Sequence, residues 1–209
     1  MARKTREEAL ETRQRILDTA ARLFGQQGIA VTSLQDIAAA AEVSRGAIYW
    51  HFKNKSDLLS TLLDEVASQF DQALLACQPQ APDPIEQAKR HAVSSIALLN
   101  GDNSLRHFFQ ALIYNCDIQD SQERHREARA RIIQTYTECF QHAQTLKQMR
   151  TDLSPSTVAH GLHALVSGLF RDVVLFGSAA LDTQTSEQTI SVYLDGLKAE
   201  IPAASKTPA

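Results

Sequence analysis

The chain has 209 residues, of which 44% are hydrophobic and 22% charged, an ordinary balance for a globular protein that excludes a disordered or collagen-like chain. Its three cysteines form no CxxC pair, so neither a disulfide scaffold nor a structural zinc site is expected. We therefore predict no metal and no cofactor. Neither a signal peptide nor an apolar stretch of about 20 residues is evident, which predicts a cytoplasmic protein that does not enter a membrane.

The net charge of −3 is unevenly distributed. Residues 1–55 carry nine Lys or Arg against six Asp or Glu, whereas the rest of the chain carries twelve against eighteen. A basic N-terminal quarter and an acidic remainder are typical of a protein that binds an anionic partner through one of its surfaces. Because such asymmetry is also common by chance, binding to nucleic acid needs support from a motif.

Apolar residues recur at helical spacing through most of the chain, and no segment alternates with the period of a β-strand. Gly28 follows the first helix, where a left-handed cap is needed. Thr32 or Ser33 begins a short second helix with a capping-box partner, and Ser44 begins a third. Helices are predicted over residues 7–27, 34–41 and 45–51, from 54 or 56 through 70, and over 85–99, 104–118, 121–148, 155–176 and 184–200. The predicted fold class is all-α.

Two short helices separated by about three residues predict a helix-turn-helix motif over about residues 33–52. The apolar side chains of its second helix can pack inward, which leaves a guanidinium, a glycine, an imidazole and two aromatic rings facing outward. A glycine allows close approach to DNA, and the donors can bind phosphates or base edges. Exposed aromatic rings beside basic residues favour a DNA contact surface over a solvated helical corner.

The motif and its flanks, residues 32–38 and 43–58, resemble the signature of TetR-family transcriptional regulators. Residues 2–17 are similar to the AcrR-like branch, which represses multidrug efflux operons. The resemblance is specific over residues 1–60 and loose beyond them. Glu42 departs from the family pattern, which often has glycine at this turn, and a left-handed backbone there would strain it by about 1 kcal/mol or more.

The resemblance and the residue chemistry assign nearly the same DNA contacts. Arg45 is predicted to grip a guanine through its O6 and N7 atoms. Tyr49, His51 and Lys55 are predicted to hold phosphates, with Lys55 at the start of a long helix whose amides add positive potential. The predicted DNA-binding residues are Ser33, Ser44, Arg45, Gly46, Tyr49, Trp50, His51 and Lys55.

Three segments are expected: a DNA-binding domain over residues 1–55, a larger helical effector-binding and dimerisation domain over residues 56–201, and a disordered tail over residues 202–209. The middle helices offer an apolar pocket that suits hydrophobic or cationic amphiphilic ligands better than sugars or nucleotides. Core packing explains many of the same residues equally well. The predicted pocket comprises Leu63, Val66, Phe70, Phe108, Phe109, Leu112, Ile113, Tyr114 and Cys116.

A monomer with one short recognition helix has little sequence specificity, so we expect a homodimer that binds palindromic double-stranded operator DNA. The last two long helices carry an apolar stripe that predicts a four-helix interface, as the resemblance to TetR proteins also implies. Part of this stripe would be internal core in any case. The predicted interface residues are Leu162, Leu165, Leu169, Val173, Ile190 and Leu194.

No arrangement of nucleophile, base or paired carboxylates points to an enzyme. His160 and His163 lack an acidic partner, so a structural role is favoured over metal binding. Cys116 has no neighbouring cation to activate it as a redox sensor and is expected to be a buried apolar residue. The predicted function is a repressor released by a small hydrophobic or amphiphilic effector and controlling a multidrug efflux operon. The alternative is an effector-independent or architectural DNA-binding protein of the same fold.

Overall fold

The computed structural model describes residues 2–114, 119–177, 179 and 181–198. Within these ranges the chain forms only helices, apart from one isolated antiparallel bridge between Met149 and Lys198. The all-α fold class is confirmed. The described helices are α1 (Ala2–Gln27), α2 (Leu34–Ala40), α3 (Arg45–His51), α4 (Lys55–Leu75), α5 (Pro84–Gly101), α6 (Asn103–Tyr114), α7 (Gln119–Thr145), α8 (Pro155–Phe176) and α9 (Thr183–Asp195).

Side-chain caps explain where most of these helices begin. The Ser33 hydroxyl accepts the Asp36 amide, and the Asp36 carboxylate accepts the Ser33 amide at 2.9 Å, which forms the expected capping box. Helix α1 ends before Gly28, whose φ of +92° provides the expected left-handed cap. One side-chain oxygen also caps each of α3, α4, α5 and α9, from Ser44, Asn54, Asp83 and Asp182 respectively.

Two apolar cores organise the molecule. The first joins α1, α2 and α3 to the first half of α4, and it includes Phe108 of α6. The second lies among α5, α7, α8 and α9 around Tyr136 and Phe140. Helix α6 belongs to both, because Leu105 lies in the second core. The first core thus extends beyond the predicted domain boundary after residue 55, and the predicted tail over residues 202–209 lies outside the described residues.

The backbones of α1 and α6 approach each other closely at Gly25. A Cβ atom placed on Gly25 would overlap the Cβ of His107 and lie 2.7 Å from the His107 carbonyl carbon. Only a residue without a side chain fits this contact. Helix α6, which leads into the body, is therefore packed directly against the first helix of the DNA-binding region.

Helix α8 is long and apolar enough, by length and composition, to cross a membrane, contrary to the expectation that no such stretch exists. Its buried side chains, such as Leu162 and Val173, belong to the second core. Arg171 and Asp172 lie within its last two turns. Core helices of globular proteins pass the same test, so this helix is weak evidence for a membrane span.

Glu42 occupies the turn between α2 and α3 with a φ of +55°, as its departure from the family pattern predicted. We expect Glu42→Gly to raise the free energy of unfolding by up to about 1 kcal/mol, because glycine adopts this backbone without strain. Urea unfolding measures the change. Glu42→Ala is the matched control, since it removes the same charge but keeps the strained Cβ. Equal stabilisation by both variants would contradict this explanation.

Candidate DNA interface and effector region

Helix α3 buries one face and exposes the other. Ile48 is fully buried in the first core, and Phe52, directly after the helix, is 1% exposed. On the opposite face Trp50 is 73% exposed and Tyr49 is 51% exposed, with Arg45 and Gly46 also exposed. The structure therefore brings most of the predicted DNA-binding residues onto one solvent-facing surface, which we call the α3 surface (residues 44–46 and 49–51).

Ser33 and Ser44, which cap α2 and α3, differ in the hydrogen-bonding capacity that remains free for a ligand. Ser44 Oγ accepts the Ala47 amide at 3.1 Å, which uses an oxygen lone pair and leaves the hydroxyl proton available for a phosphate. Ser33 Oγ both accepts the Asp36 amide and donates to the Asp36 carboxylate at 2.7 Å. Ser33 is thus committed to the capping box, and its predicted DNA contact is less well supported than that of Ser44.

His51 is half-buried, and its ring meets the Trp50 ring edge-on with centroids 4.6 Å apart. Burial lowers the pKa of His51 below its ordinary value, and the nearby Arg13 guanidinium lowers it further. The imidazole is accordingly neutral at neutral pH. It can still donate one hydrogen bond to a phosphate, but it brings no charge to the interface.

Arg13 of α1 holds the end of α3 in place. Its guanidinium lies over the Phe52 ring, 5.2 Å from the centroid, and donates to the Glu65 carboxylate at 3.1 Å. One side chain thereby connects α1, the residue after α3, and α4. Sequence reasoning did not single out Arg13, because only the tertiary structure brings its three partners together.

Lys55 makes contacts that the sequence did not predict. Its ammonium group donates to the backbone carbonyls of Ile29 at 2.9 Å, Ala30 at 3.1 Å and Thr32 at 3.1 Å. A lysine has three donors, so this arrangement occupies all of them. Without DNA, Lys55 therefore links the turn before α2 to the start of α4, and its phosphate contact stays a prediction that would require it to give up one of these bonds.

Three aromatic rings meet where α4, α6 and α8 come together. The ring centroids of Phe70 and Phe109 are 5.8 Å apart, those of Phe70 and Phe170 are 5.9 Å apart, and those of Phe109 and Phe170 are 5.0 Å apart. All three side chains are half-buried and meet edge to face. We call them the aromatic triangle. Sequence reasoning missed Phe170, because α8 was assigned to the dimer interface.

The other predicted pocket residues are dispersed. Phe108 is fully buried in the first core, so its assignment to the pocket lining is wrong: it packs between α6 and the DNA-binding region. Leu63, Val66 and Leu112 are half-buried beside that core, and Ile113 packs on the second core. The Tyr114 side chain and Cys116 lie outside the described residues.

The predicted interface stripe is also wrong, because it is the inner face of α8 and α9. Five of its side chains are at most 9% exposed and lie in the second core, and the sixth packs against that core: Leu162, Leu169, Val173, Ile190, Leu194 and, half-buried, Leu165. The outer faces of these helices are different. Val192 is 74% exposed, Phe176 is 67% exposed, and the Cβ position of Gly168 meets open space.

An exposed helix rich in donors, presented by a helix-turn-helix on a larger helical body, defines a DNA-binding regulator. A profile described as "Bacterial regulatory proteins, tetR family" matches residues 16–62, and one described as "BetI-type transcriptional repressor, C-terminal" matches residues 118–199. The regulator AcrR of Shigella flexneri is 36% identical over 181 residues, which cover 82% of each chain. The chain belongs to the TetR family of bacterial transcriptional regulators, and the predicted AcrR-like branch is confirmed. Its relatives are regulators and not enzymes, as the sequence predicted.

Solved structures show the same fold over nearly the whole chain. NalD, the secondary repressor of the MexAB-OprM multidrug efflux pump in Pseudomonas aeruginosa, aligns with a TM-score of 0.74 and 28% identity, covering 92% of this chain and 98% of NalD. The complex of SmeT with triclosan aligns with a TM-score of 0.75 and 25% identity, covering 95% and 98%. SmeT is described as the repressor of the Stenotrophomonas maltophilia efflux pump SmeDEF.

The α3 surface yields a prediction about sequence readout. Arg45→Ala should weaken operator binding by about 1–3 kcal/mol and relax base preference at one position in each half-site, because a bidentate contact to guanine is lost. The exposed Lys53 is the matched control. Lys53→Ala should weaken binding to all sequences evenly and reduce its salt dependence, as for a phosphate contact. Fluorescence anisotropy with single-base operator variants distinguishes them, and an even loss in Arg45→Ala would rule out base reading.

Proposed function

We propose that this protein is a homodimeric repressor in the cytoplasm that binds a palindromic operator of a multidrug efflux operon. A small hydrophobic or amphiphilic molecule releases it. The observation that carries the proposal is the α3 surface, where Tyr49 and Trp50 are exposed beside Arg45. Exposed aromatic side chains of this size mark a contact surface, and the accompanying donors match DNA. The relatives AcrR and NalD, a regulator and an efflux-pump repressor, support the choice of operon.

The outer faces of α8 and α9 are the proposed dimer interface. Val192 is exposed on α9, and Ala164 and Gly168 are exposed on α8. Small side chains allow two helices to pack closely. A twofold axis through this surface would give each dimer two α3 helices, which can occupy two half-sites of a palindrome.

The aromatic triangle is the proposed contact for the effector. Three aromatic rings that meet edge to face offer apolar, polarisable surface with no charged group among them. Such a surface favours aromatic or hydrophobic molecules, and SmeT has been solved in complex with triclosan. An effector that inserts here would separate rings belonging to α4, α6 and α8.

Two of these helices lead directly to DNA-binding elements. Phe109 on α6 is the neighbour of Phe108, which lies in the first core, and His107 touches α1 at Gly25. Helix α4 begins at Lys55, which is bound to the turn before α2. A displacement at the aromatic triangle is therefore transmitted to α1 and α3 as a rigid movement. A coupling of about 1–3 kcal/mol would change operator affinity roughly 5–150-fold.

The test uses triclosan as the probe and measures operator binding by fluorescence anisotropy. We expect triclosan to weaken operator binding, and operator to weaken triclosan binding by the same factor, as reciprocity requires. Phe170→Leu should reduce this coupling while leaving operator affinity without ligand unchanged. Phe140→Leu is the matched control, because it makes the same change at a buried ring of α7 that is not part of the aromatic triangle.

Two results would contradict release by this ligand. One is an equal triclosan affinity with and without operator, and the other is full coupling in Phe170→Leu. If cationic dyes and other hydrophobic ligands also show no coupling while operator binding persists, the effector-independent alternative is correct.

A further inference from the structure

Two cysteines from distant parts of the chain meet inside the body. Cys77 lies just after α4, Cys139 lies on α7, and their sulfur atoms are 3.7 Å apart. Both are free thiols in a part of the chain that the structure describes. Cys139 is fully buried, whereas Cys77 retains 8% exposure at the edge of the second core. The pair is thus enclosed, and Cys77 is the member that lies nearer the solvent.

The distance is short enough for a covalent bond after a small movement. A disulfide requires sulfur atoms about 2.05 Å apart, so the two must approach by about 1.7 Å. Cys139 is fixed within a long helix, but Cys77 belongs to the irregular segment between α4 and α5. Segments of this kind deform more easily than packed helices. Closure therefore moves Cys77, and the adjoining end of α4, toward α7.

The two thiols are chemically unequal. The hydrogen bond between the two thiols lowers the pKa of Cys77, and burial of Cys77 opposes this shift. The pKa of Cys139 is raised by its hydrogen bond to Cys77 and by burial. Cys77 is also the more exposed of the two and lies in the irregular segment between α4 and α5, so we assign it as the attacking group and Cys139 as the thiol that resolves the intermediate.

Two buried polar residues beside the cysteines, Tyr136 and His91, are neutral at neutral pH. The Tyr136 hydroxyl, which lies close enough for both cysteines to affect it, forms a 2.8 Å hydrogen bond with His91. Burial lowers the pKa of His91 to about 4, so the imidazole is neutral at neutral pH. Neither the Tyr136 hydroxyl nor the His91 imidazole therefore brings a positive charge to the two thiols.

We propose that Cys77 and Cys139 form an oxidation site for hydroperoxides, which closes to an intrachain disulfide and weakens operator binding. The Cys77 thiolate attacks one peroxide oxygen, the O–O bond breaks, and the leaving hydroxide takes a proton to become water. The Cys77 sulfenic acid then reacts with the Cys139 thiol and releases a second water. Overall, two thiols and one hydrogen peroxide give one disulfide and two waters. Disulfides that form in a reducing compartment are typically transient and regulatory.

The consequence for DNA follows from the position of α4. This helix begins at Lys55, beside the end of α3, and reaches Cys77 two residues after its last turn. A bond that draws the far end of α4 toward α7 tilts its near end relative to the first core. The recognition helices of the dimer then no longer match the half-sites. This second part of the inference rests on the proposed function.

The experiment uses the full chain with Cys116→Ala, so that only the pair can react. The protein is treated with hydrogen peroxide and then unfolded in the presence of an alkylating agent, which blocks the remaining free thiols. Its mass is measured by mass spectrometry. We expect the loss of two hydrogen atoms and of two alkylation sites, with full reversal by dithiothreitol. Operator affinity, measured by anisotropy on the same samples, should fall at least about fivefold on oxidation and recover on reduction.

Two single variants serve as controls, Cys77→Ala and Cys139→Ala, each of which removes one partner and leaves an apolar side chain in the core. Peroxide should leave the operator affinity of both unchanged. The inference is overturned if no intrachain disulfide forms, or if it forms and operator affinity stays the same. Failure of the reduced protein to bind operator would instead contradict the proposed function. The two failures are distinguishable, because mass spectrometry detects the disulfide whether or not the protein binds operator.

Discussion

Glutamates placed at Ala164 and Val192 together should convert the protein to a monomer and weaken binding to a palindromic operator by about 100-fold or more. Both positions are exposed on the outer faces of α8 and α9. In a twofold dimer each substituted position faces a copy of the same surface, so like charges are buried against each other. Losing the second half-site contact removes an avidity of about 10²–10⁴.

The matched control for this double variant is Leu75→Glu, which adds the same charge at a leucine that is 82% exposed on α4. It should remain dimeric and retain operator affinity. Sedimentation velocity gives the oligomeric state, and anisotropy with the intact palindrome gives the affinity. A double variant that stays dimeric, or a monomer that binds the palindrome as tightly as the original protein, would exclude this interface.

Acidification should destabilise the protein through His91. This side chain is 5% exposed, and burial lowers its pKa from 6.5 to about 4 in the folded protein. Between these values the unfolded chain binds a proton that the folded protein does not, so the free energy of unfolding falls as the pH drops. Lowering the pH from about 7 to about 4 should remove about 3 kcal/mol of stability from this group.

Urea unfolding at several pH values measures this loss. His91→Gln, which can keep a hydrogen bond to Tyr136, should unfold with a weaker pH dependence by about the same 3 kcal/mol. His125→Gln is the control, since it makes the same change at an exposed histidine on α7. An unchanged pH dependence in His91→Gln would show that His91 is protonated as easily in the folded protein as in the unfolded chain.

Local signals allowed the DNA-binding region to be predicted from the sequence. The caps at Ser33 and Ser44 determine where α2 and α3 begin, and the glycine after α1 determines where α1 ends. The alternation of buried and exposed residues within α3 follows from helical spacing alone, so its exposed face was identified correctly. The strain at Glu42 was also predictable, because the resemblance to the TetR family implies a glycine at this turn position.

Long-range contacts were not predictable in the same way. An apolar stripe on α8 is equally compatible with an internal core and with a dimer seam, and the packing against α5 and α7 decides between them. Nothing in the local sequence around Lys55 indicates that its ammonium group binds the backbone carbonyls of the turn at residues 29–32, because that turn lies more than twenty residues earlier in the chain. Phe170 contacts Phe70 and Phe109, yet it lies 61 residues after Phe109 in the sequence. No local pattern indicates that these rings meet.

Trp50 is the chain's one tryptophan and is 73% exposed on α3, so its fluorescence reports directly on the proposed DNA contact. The decisive measurement is a titration of this fluorescence with a palindromic operator duplex, with a scrambled duplex of the same length as control. We expect a change in emission that saturates at one palindrome per two protomers and weakens steeply with salt. An emission unchanged at concentrations where a complex forms, or an identical response to the scrambled duplex, would contradict operator recognition by α3.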